Sequence, residues 1–371
     1  MRVLQVVGGL NRGGAEAWLQ AALPAAVQNG SKWDFLVHGG EIGEYEADVR
    51  RLGSDVIHIL DNRWTPGYRR ELGHVLKMRK YDAVHSHVSF FSRYILNVAE
   101  GCHIPIRIAH AHGTDDARGN SMVRRAYRLL MRTLMNHYAT KRIACARVAG
   151  QFLFGDDWGC RNGDRILYCG IDLTQFRPLR ESTELRRDLG LPKTCRVLAH
   201  VGRFFAPKNH RFVVRIAAEI LESDPNTHLL LLGDGPLRKE IEDLSEMFTF
   251  RDQVHFCGNR GDVPTILRNV ADVMIFPSLN EGLPLALLEA QAASVPSVVA
   301  STISTEVVVI PGLIRFIDLD APLTSWTEAI RDAFGQPPRD RSLALRAFEQ
   351  SAFDIRHSVG SLMDLYGHGR R

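Results

Sequence analysis

The sequence predicts an α/β protein built from two doubly wound parallel sheets in tandem, with a helical tail. Three observations carry that expectation. Short apolar, β-branched runs recur along the whole chain, each separated from the next by enough residues for a crossover helix. The runs are continuously apolar rather than alternating, as strands must be when helices cover both faces of a parallel sheet. The rhythm breaks once, near Asp172, and then restarts, in a chain whose 371 residues exceed what one hydrophobic core normally serves.

In the first half the runs are RVLQVV (2–7), DFLVH (34–38), VIHIL (56–60), AVHSH (83–87), IRIAHAH (106–112), RIACA (142–146) and RILYC (165–169). A helix opens near Gly14, with Ala17, Leu19 and Leu23 at helical spacing. Segment 172–194 is polar and carries Pro178 and Pro192 without any strand-like run, so it reads as a linker. The second half repeats the pattern with RVLAHVG (196–202), HLLLLG (228–233), QVHFCG (253–258), VMIFP (273–277), VPSVVA (295–300) and LIRFID (313–318). Helices are expected over 208–222, 236–246 and 283–293, and a helical tail over about 323–366. The expected division is an N-terminal domain over 1–175, a linker over 176–194, a C-terminal domain over 195–350 and a last segment, 351–371, packing back toward the first domain.

Bulk properties exclude several classes. A chain that is 45% hydrophobic and 24% charged is neither disordered nor fibrous. A formal charge of +4 is too small to argue for nucleic acid. No apolar stretch approaches the roughly 18 residues that span a bilayer, and MRVLQVVGGLNRGG reads as a first buried strand rather than a secretory signal. Cys102, Cys145, Cys160, Cys169, Cys195 and Cys257 form no CxxC pair and no finger spacing, which points to free thiols in a reducing cytoplasm.

In doubly wound sheets ligands collect beyond the carboxyl ends of strands, so the strand-to-helix turns are where chemistry is expected. The first is GGLNRGGAE (8–16), whose glycines suit either a tight turn or close approach to a phosphate at a helix N-terminus. VGRFFAPKNH (201–210) places Arg203 and Lys208 at one turn, a pair suited to a diphosphate, with solvated surface charge as the plainer reading. LLLLGDGPL (229–237) ends a strand in Gly233-Asp234-Gly235, for which a helix N-cap by Asp234 is an adequate account. FPSLNEGLPLALLEA puts Glu281 on a loop and Glu289 inside the helix that Pro284 opens. Those carboxylates fit two ends of one extended ligand, with N–H groups near Gly282 and Leu283 between them. A dipole-favoured helix-start glutamate and a solvated one explain them equally well.

Other groups are less directed. His85, His87, His110 and His112 close two strands and suit hydrogen bonds to a sugar or phosphate, or a structural role in the core. No carboxylate pair completes a metal site with them, and no metal is expected. Asp318-Leu-Asp320 fits a DxD triplet but lies away from the glycine-rich turns, and Asp115-Asp116 suits a cleft or a solvated loop equally. Segment 121–142 holds no acid, and Arg124, Arg125, Arg128 and Arg132 give its helix a basic side suited to an anionic membrane surface, or to plain solvent exposure.

Taken together and in order, these pieces resemble the GT-B glycosyltransferases of retaining family 4 over nearly the whole chain. EGLPLALLE matches the family's E-x7-E element, and VGRFFAPKNH, LLLLGDGPL and GGAE match next best. NRGGAEAWL, IRIAHAHGT, the FLFG and YCGID stretches and STISTEV are similar to the exopolysaccharide and capsule branch. The resemblance implies an enzyme that moves a sugar, with retention, from a nucleotide-sugar onto a glycan or lipid-linked glycan. A UDP-sugar is favoured over a GDP-sugar, and neither metal nor cofactor is needed. It implies that Arg203 and Lys208 clamp the diphosphate, that Glu281 holds hydroxyls of the donor sugar and that Glu289 holds the ribose. It also places Gly233, Asp234, Gly235, Gly258, Gly282 and Leu283 at the donor, Gly14 near its phosphate or sugar, and His112 near the reacting centre. A cytoplasmic location at the inner face of the plasma membrane follows. A nucleotide-sugar 2-epimerase and a non-catalytic sugar-nucleotide-binding subunit are the alternatives. Two departures stand out: Cys169 where Asn is usual before Gly-Ile-Asp, and Ser294 where Gly is usual before Val295-Pro296.

Overall fold

The computed structural model describes residues 1–60, 65–114, 121–176, 182–337 and 340–367. Asp115 and Asp116 lie outside the described residues. The chain divides into two compact bodies, residues 1–170 together with the segment from Ile355, and residues 171–354.

Every expected apolar run becomes a strand. The first body holds β1 (Arg2–Val6), β2 (Lys32–His38), β3 (Val56–Ile59), β4 (Ala83–Ser86), β5 (Ile106–Ala111), β6 (Lys141–Ala144) and β7 (Asp164–Ile166), in the order β3-β2-β1-β4-β5-β6-β7. The second holds β8 (Arg196–Val201), β9 (Thr227–Leu232), β10 (Val254–Phe256), β11 (Val273–Phe276), β12 (Ser297–Ala300) and β13 (Ile314–Ile317), in the order β10-β9-β8-β11-β12-β13. All pairings are parallel. Most strands stop one to three residues short of the apolar run. The leftover residues, among them His87, His112, Gly202, Gly233, Gly258 and Pro277, turn into the loops beyond the carboxyl ends.

Three helices of the second body start about two residues late, for local reasons. A short 3-10 turn over Ala206–Lys208 ends at Asn209, whose φ of 57° is left-handed, and the α-helix begins only at His210. The helix expected from 236 runs Arg238–Glu246, so Asp234 is no N-cap. Pro284 sits at the N-cap, and the helix carrying Glu289 is Leu285–Ala292.

Segment 176–194 is more than a tether. Ser182–Asp188 is helical, and Leu185, Leu189, Leu191 and Cys195 pack with Val197, Leu230, Ile266 and Val270 in the second body's core. Arg186 fastens the segment by donating to the carbonyl of Cys195 at 3.0 Å. This two-turn helix was hidden by the charges of ESTELRRD, which outnumber its one core-facing leucine. Ser294 takes a left-handed φ of 62°, which is the conformation that favours glycine at this position.

The C-terminal helix Ile355–Tyr366 belongs to the first body. Its Ser358 hydroxyl accepts from the Trp18 indole at 2.9 Å and donates to the carbonyl of Tyr168 at 2.8 Å. Leu362 is fully buried, Tyr366 nearly so, and the Lys141 ammonium donates to the carbonyl of Leu365. Leu185→Ala is expected to destabilise the second body by about 2–5 kcal/mol. Urea unfolding measures it, and a loss below about 0.5 kcal/mol would return 182–191 to the status of a tether.

Candidate active site

In the second sheet the chain winds outward from β8 through β9 to β10, then returns to start again at β11 beside β8. The order reverses between β8 and β11, and such a switch point parts the loops above the sheet to leave a ligand crevice. The loop leaving β8 carries Arg203 and Lys208, and the loop leaving β11 carries Glu281. Topology alone thus brings together residues more than 70 positions apart.

Backbone bonds then set the loops against one another. Leu279 N–H donates to the carbonyl of Pro207 at 2.8 Å, and the Asn209 amide donates to the carbonyl of Pro277 at 3.1 Å. On the other side Phe204 N–H donates to the carbonyl of Asp234 at 2.9 Å, and Leu237 N–H to that of Phe204 at 3.0 Å. This approach is so close that a Cβ on Gly233 would lie 2.1 Å from the carbonyl oxygen of Gly202. Gly233 also has φ +138°, so any side chain there breaks the junction of the two loops. Gly258 joins the same junction, its carbonyl accepting from Gly233 N–H at 2.9 Å. Asp234 turns back on its own loop, accepting from Gly235 N–H at 2.7 Å and pairing with Arg238 at 3.1 Å. Asn209, with its left-handed turn and its clamp on Pro277, was not anticipated from sequence. The Pro207-Lys-Asn spacing was the only signal of it.

Within this frame Lys208 and Glu281 meet, Nζ to Oε1, at 2.5 Å, both largely shielded from solvent. The ammonium also lies 4.9 Å from the Phe276 ring centroid. Arg203 is exposed and stacks on Phe205 at 4.8 Å. Gly282 is buried and Leu283 half-buried at the start of the helix Leu285–Ala292, whose first N–H groups have no partners within the helix. Glu289, one turn on, forms no side-chain hydrogen bond or ion pair among the described residues. Part of it reaches solvent, yet its packed surroundings disfavour the charge and raise its pKa to about 7. Gln291, two residues later, anchors the helix by accepting from Val309 and Ile310 N–H and donating to the carbonyl of Val307.

The first body separates its predicted residues differently. Gly14 is the first residue of the helix Gly14–Gln28, and a Cβ there would meet nothing within 4 Å. The four histidines form one cluster on a single face of the sheet, because β4 and β5 run in parallel register. His85 Nε2 lies 3.1 Å from His110 Nδ1, and His87 Nδ1 lies 2.8 Å from His112 Nε2. His112 Nδ1 faces the Cys169 sulfur at 3.9 Å. Burial holds all four well toward the neutral form, with His112 lowered to about 3. Among the described residues, ligand atoms of His85, His87 and His110, and of His110, His112 and Cys169, lie within 4.8 Å of one another. Four of the eight ring nitrogens already bond each other. The cluster closes with Gln5 and Tyr366, neither of which was singled out. A glutamine inside the apolar run RVLQVV was the available signal for the first, and nothing local marks the second.

The remaining predicted features stand apart. Asp318 organises its own turn, accepting from Asp320 N–H at 2.9 Å and, through its carbonyl, from the Trp326 indole. On the helix Met122–Tyr138 the expected basic side is the inward one. Arg124, Arg128 and Arg132 are half-buried, with Arg132 donating to the carbonyl of Phe152, while Arg125 is exposed. The outward side is apolar, led by Met122 at 85% exposure and Leu129 at 62%. The arginines share a stripe with the buried Met131 and Met135, so amphipathic spacing alone assigned the wrong side to solvent. No helix among the described residues is long and apolar enough to cross a membrane.

Known proteins give the family of the chain. A family model for glycosyl transferases group 1 matches residues 181–348, which lie in the second body. The chain is 31% identical over 373 residues to EpsF of Bacillus subtilis, named as a glycosyltransferase, covering 98% of this chain and 96% of that one. Over 237 residues, 61% of this chain and 59% of the other, it is 29% identical to an Escherichia coli enzyme. That enzyme's name is UDP-Gal:alpha-D-GlcNAc-diphosphoundecaprenol alpha-1,3-galactosyltransferase. The crystal structure of HepE from Anabaena in complex with UDP and glucose shares the fold, with a TM-score of 0.79 at 16% identity over 99% of both chains. The match to EpsF runs from end to end, and the chain belongs to the glycosyl transferases of group 1, as an enzyme of GT-B fold.

Proposed function

We propose that the chain transfers a sugar, with retention, from a UDP-sugar to a glycan or lipid-linked glycan in polysaccharide synthesis. The meeting of Lys208 with Glu281 beside Arg203, at the switch point of the second sheet, carries this reading. In the reaction, the bond between the anomeric carbon and the donor phosphate oxygen breaks, and its electron pair leaves with the nucleoside diphosphate. The acceptor hydroxyl oxygen bonds that carbon from the same face, and its proton passes to the departing phosphate. Arg203 and Lys208, once turned to the phosphates, hold the growing charge on the diphosphate as the bond breaks, an electrostatic task. Two such cations do the neutralising that a metal does elsewhere, so the reaction we assign is metal-independent.

The carboxylates divide the donor between them. Glu281, once Lys208 turns to phosphate, accepts hydrogen bonds from sugar hydroxyls, and Glu289 accepts from the ribose. The N–H groups at Gly282 and Leu283 take phosphate oxygens. The Gly233–Gly235 and Gly258 junction lets backbone approach the nucleotide. On the first body we assign Gly14 to phosphate and His112 to the transferred sugar. The name of the Escherichia coli relative, with its UDP-Gal donor and diphosphoundecaprenol acceptor, supports a UDP-sugar and a lipid-linked acceptor. The UDP held by HepE supports the same nucleotide. A lipid-linked acceptor calls for a cytoplasmic enzyme at the inner membrane surface, and the helix Met122–Tyr138 suits that surface by its exposed apolar side and the exposed Arg125.

Lys208→Ala is expected to lower kcat/KM by about 10²–10³-fold. Glu281→Ala is expected to lower kcat while leaving UDP affinity by calorimetry unchanged, and equal losses in both remove its sugar role. Glu289 has a folded pKa near 7 against an ordinary value of 4.5. The folded chain therefore keeps a proton that the unfolded chain has lost between those values, and stability falls as pH rises through that window. Glu289→Gln should therefore gain in Tm relative to wild type from about pH 5 to pH 8 while binding UDP more weakly. A Tm difference that does not change with pH contradicts it. Leu129→Ser with Leu130→Ser should reduce partitioning onto anionic vesicles, and unchanged partitioning removes the membrane role.

A further inference from the structure

The histidine cluster of the first body is one continuous hydrogen-bonded chain, and its partners decide every proton in it. Gln5 on β1 and His85 on β4 are direct neighbours in register, and the side chains of His87, His110 and His112 follow on the same face at period two. Tyr366, the last residue of the C-terminal helix, reaches this face. Its hydroxyl lies 3.1 Å from Gln5 Nε2 and 2.7 Å from His85 Nδ1. Gln5 Oε1 lies 3.0 Å from His87 Nε2. Two arms therefore leave the tyrosine, one through Gln5 and His87 to His112, the other through His85 to His110.

Donor–acceptor matching follows each arm to its end. The Gln5 amide N–H donates to the Tyr366 oxygen, so Gln5 Oε1 must accept, and His87 carries its proton on Nε2. His87 Nδ1 is then a lone pair, so His112 donates to it from Nε2 and keeps a lone pair on Nδ1. In the second arm Tyr366 O–H donates to His85 Nδ1, His85 donates from Nε2 to His110 Nδ1, and His110 keeps its proton on Nε2. That last N–H has no partner among the described residues, and the ring meets Trp18 edge to face at 5.5 Å. Turning the Gln5 amide over is the one way to reverse the scheme, and it moves the proton of all four rings to Nδ1. The far end selects between the two. Burial keeps Cys169 protonated, so its S–H is a donor, and the His112 nitrogen facing it is the acceptor.

We propose that Tyr366 and Gln5 are positioning residues for His112, holding its proton on Nε2 and leaving Nδ1 to accept a hydrogen bond from a sugar hydroxyl. The proposal rests on the assignment of His112 to the transferred sugar. A hydroxyl is a better donor than the thiol at 3.9 Å and displaces it without disturbing the hydrogen-bonded chain. The order of effects resembles the general logic in which a third group sets the tautomer of a working imidazole. The consequence is selective: His112 discriminates for a donor hydroxyl and against a group that can only accept.

Long-range ¹H–¹⁵N NMR of histidine-labelled protein reads the tautomers directly. All four rings are expected as Nε2–H, and a set of Nδ1–H signals overturns the proposal. Tyr366→Phe keeps the ring and removes the hydroxyl. It should mix the tautomers of His87 and His112 and lower kcat by roughly 2- to 10-fold, the worth of one hydrogen bond, with UDP affinity unchanged. Unchanged tautomers overturn the proposal, as do shifted tautomers with unchanged kcat in a protein that His112→Ala inactivates. Full activity in His112→Ala instead overturns the assignment of His112 to the sugar, a different failure. Gln5→Met, isosteric and apolar, gives the same readouts should the C-terminal helix detach in Tyr366→Phe, which its Tm reveals.

Discussion

Both bodies obey one constraint: every strand runs the same way, so every strand-to-helix loop emerges at the same edge of its sheet. A parallel sheet gathers residues from distant parts of the sequence without any long-range contact having to be specified first. The second sheet uses this twice, once to bring the loops after β8 and β11 side by side, and once to seat the loop after β9 against the first. The chemistry is then a matter of small residues. Gly233 permits loops to touch at backbone distance, and Asn209 turns the chain left-handed so that Lys208 points back at Glu281.

The site sets two of its charges against each other. Lys208 and Glu281 are partly buried, and a buried charge without a partner is costly, so each offsets the desolvation of the other. In the function proposed above, binding a diphosphate is an exchange of partners for the lysine. Glu289 has no such arrangement and answers burial by holding a proton more tightly. An opposite charge in reach thus separates the Lys208–Glu281 pair from Glu289.

Much of this was legible beforehand, and the failures share a cause. Continuous apolar runs separated by helix-length segments are a property of the local chain, and each produced its strand. Arg203, Lys208 and Glu281 were singled out because they sit in loops just past strand ends, where period and punctuation change together, and Glu289 because it lies on the helix that follows. The helix Ser182–Asp188 was not, since one leucine among charges carries its packing. The outward side of Met122–Tyr138 was misread because spacing gives the stripes of a helix but not which stripe meets the neighbour. Tyr366 was invisible: its partners Gln5 and His85 lie 361 and 281 residues away, and only the folded chain relates them.

That last separation bears on how the molecule is made. The ribosome releases β1 first and the C-terminal helix last, yet both belong to one body. Domains commonly fold in the order of their synthesis. Here the first body has its sheet long before it has the helix that covers Trp18 and caps the histidines, while the second body, residues 171–354, emerges complete in a single stretch. The order of completion is therefore inverted. The body begun first is finished last, and until Tyr366 leaves the exit tunnel its polar core faces water.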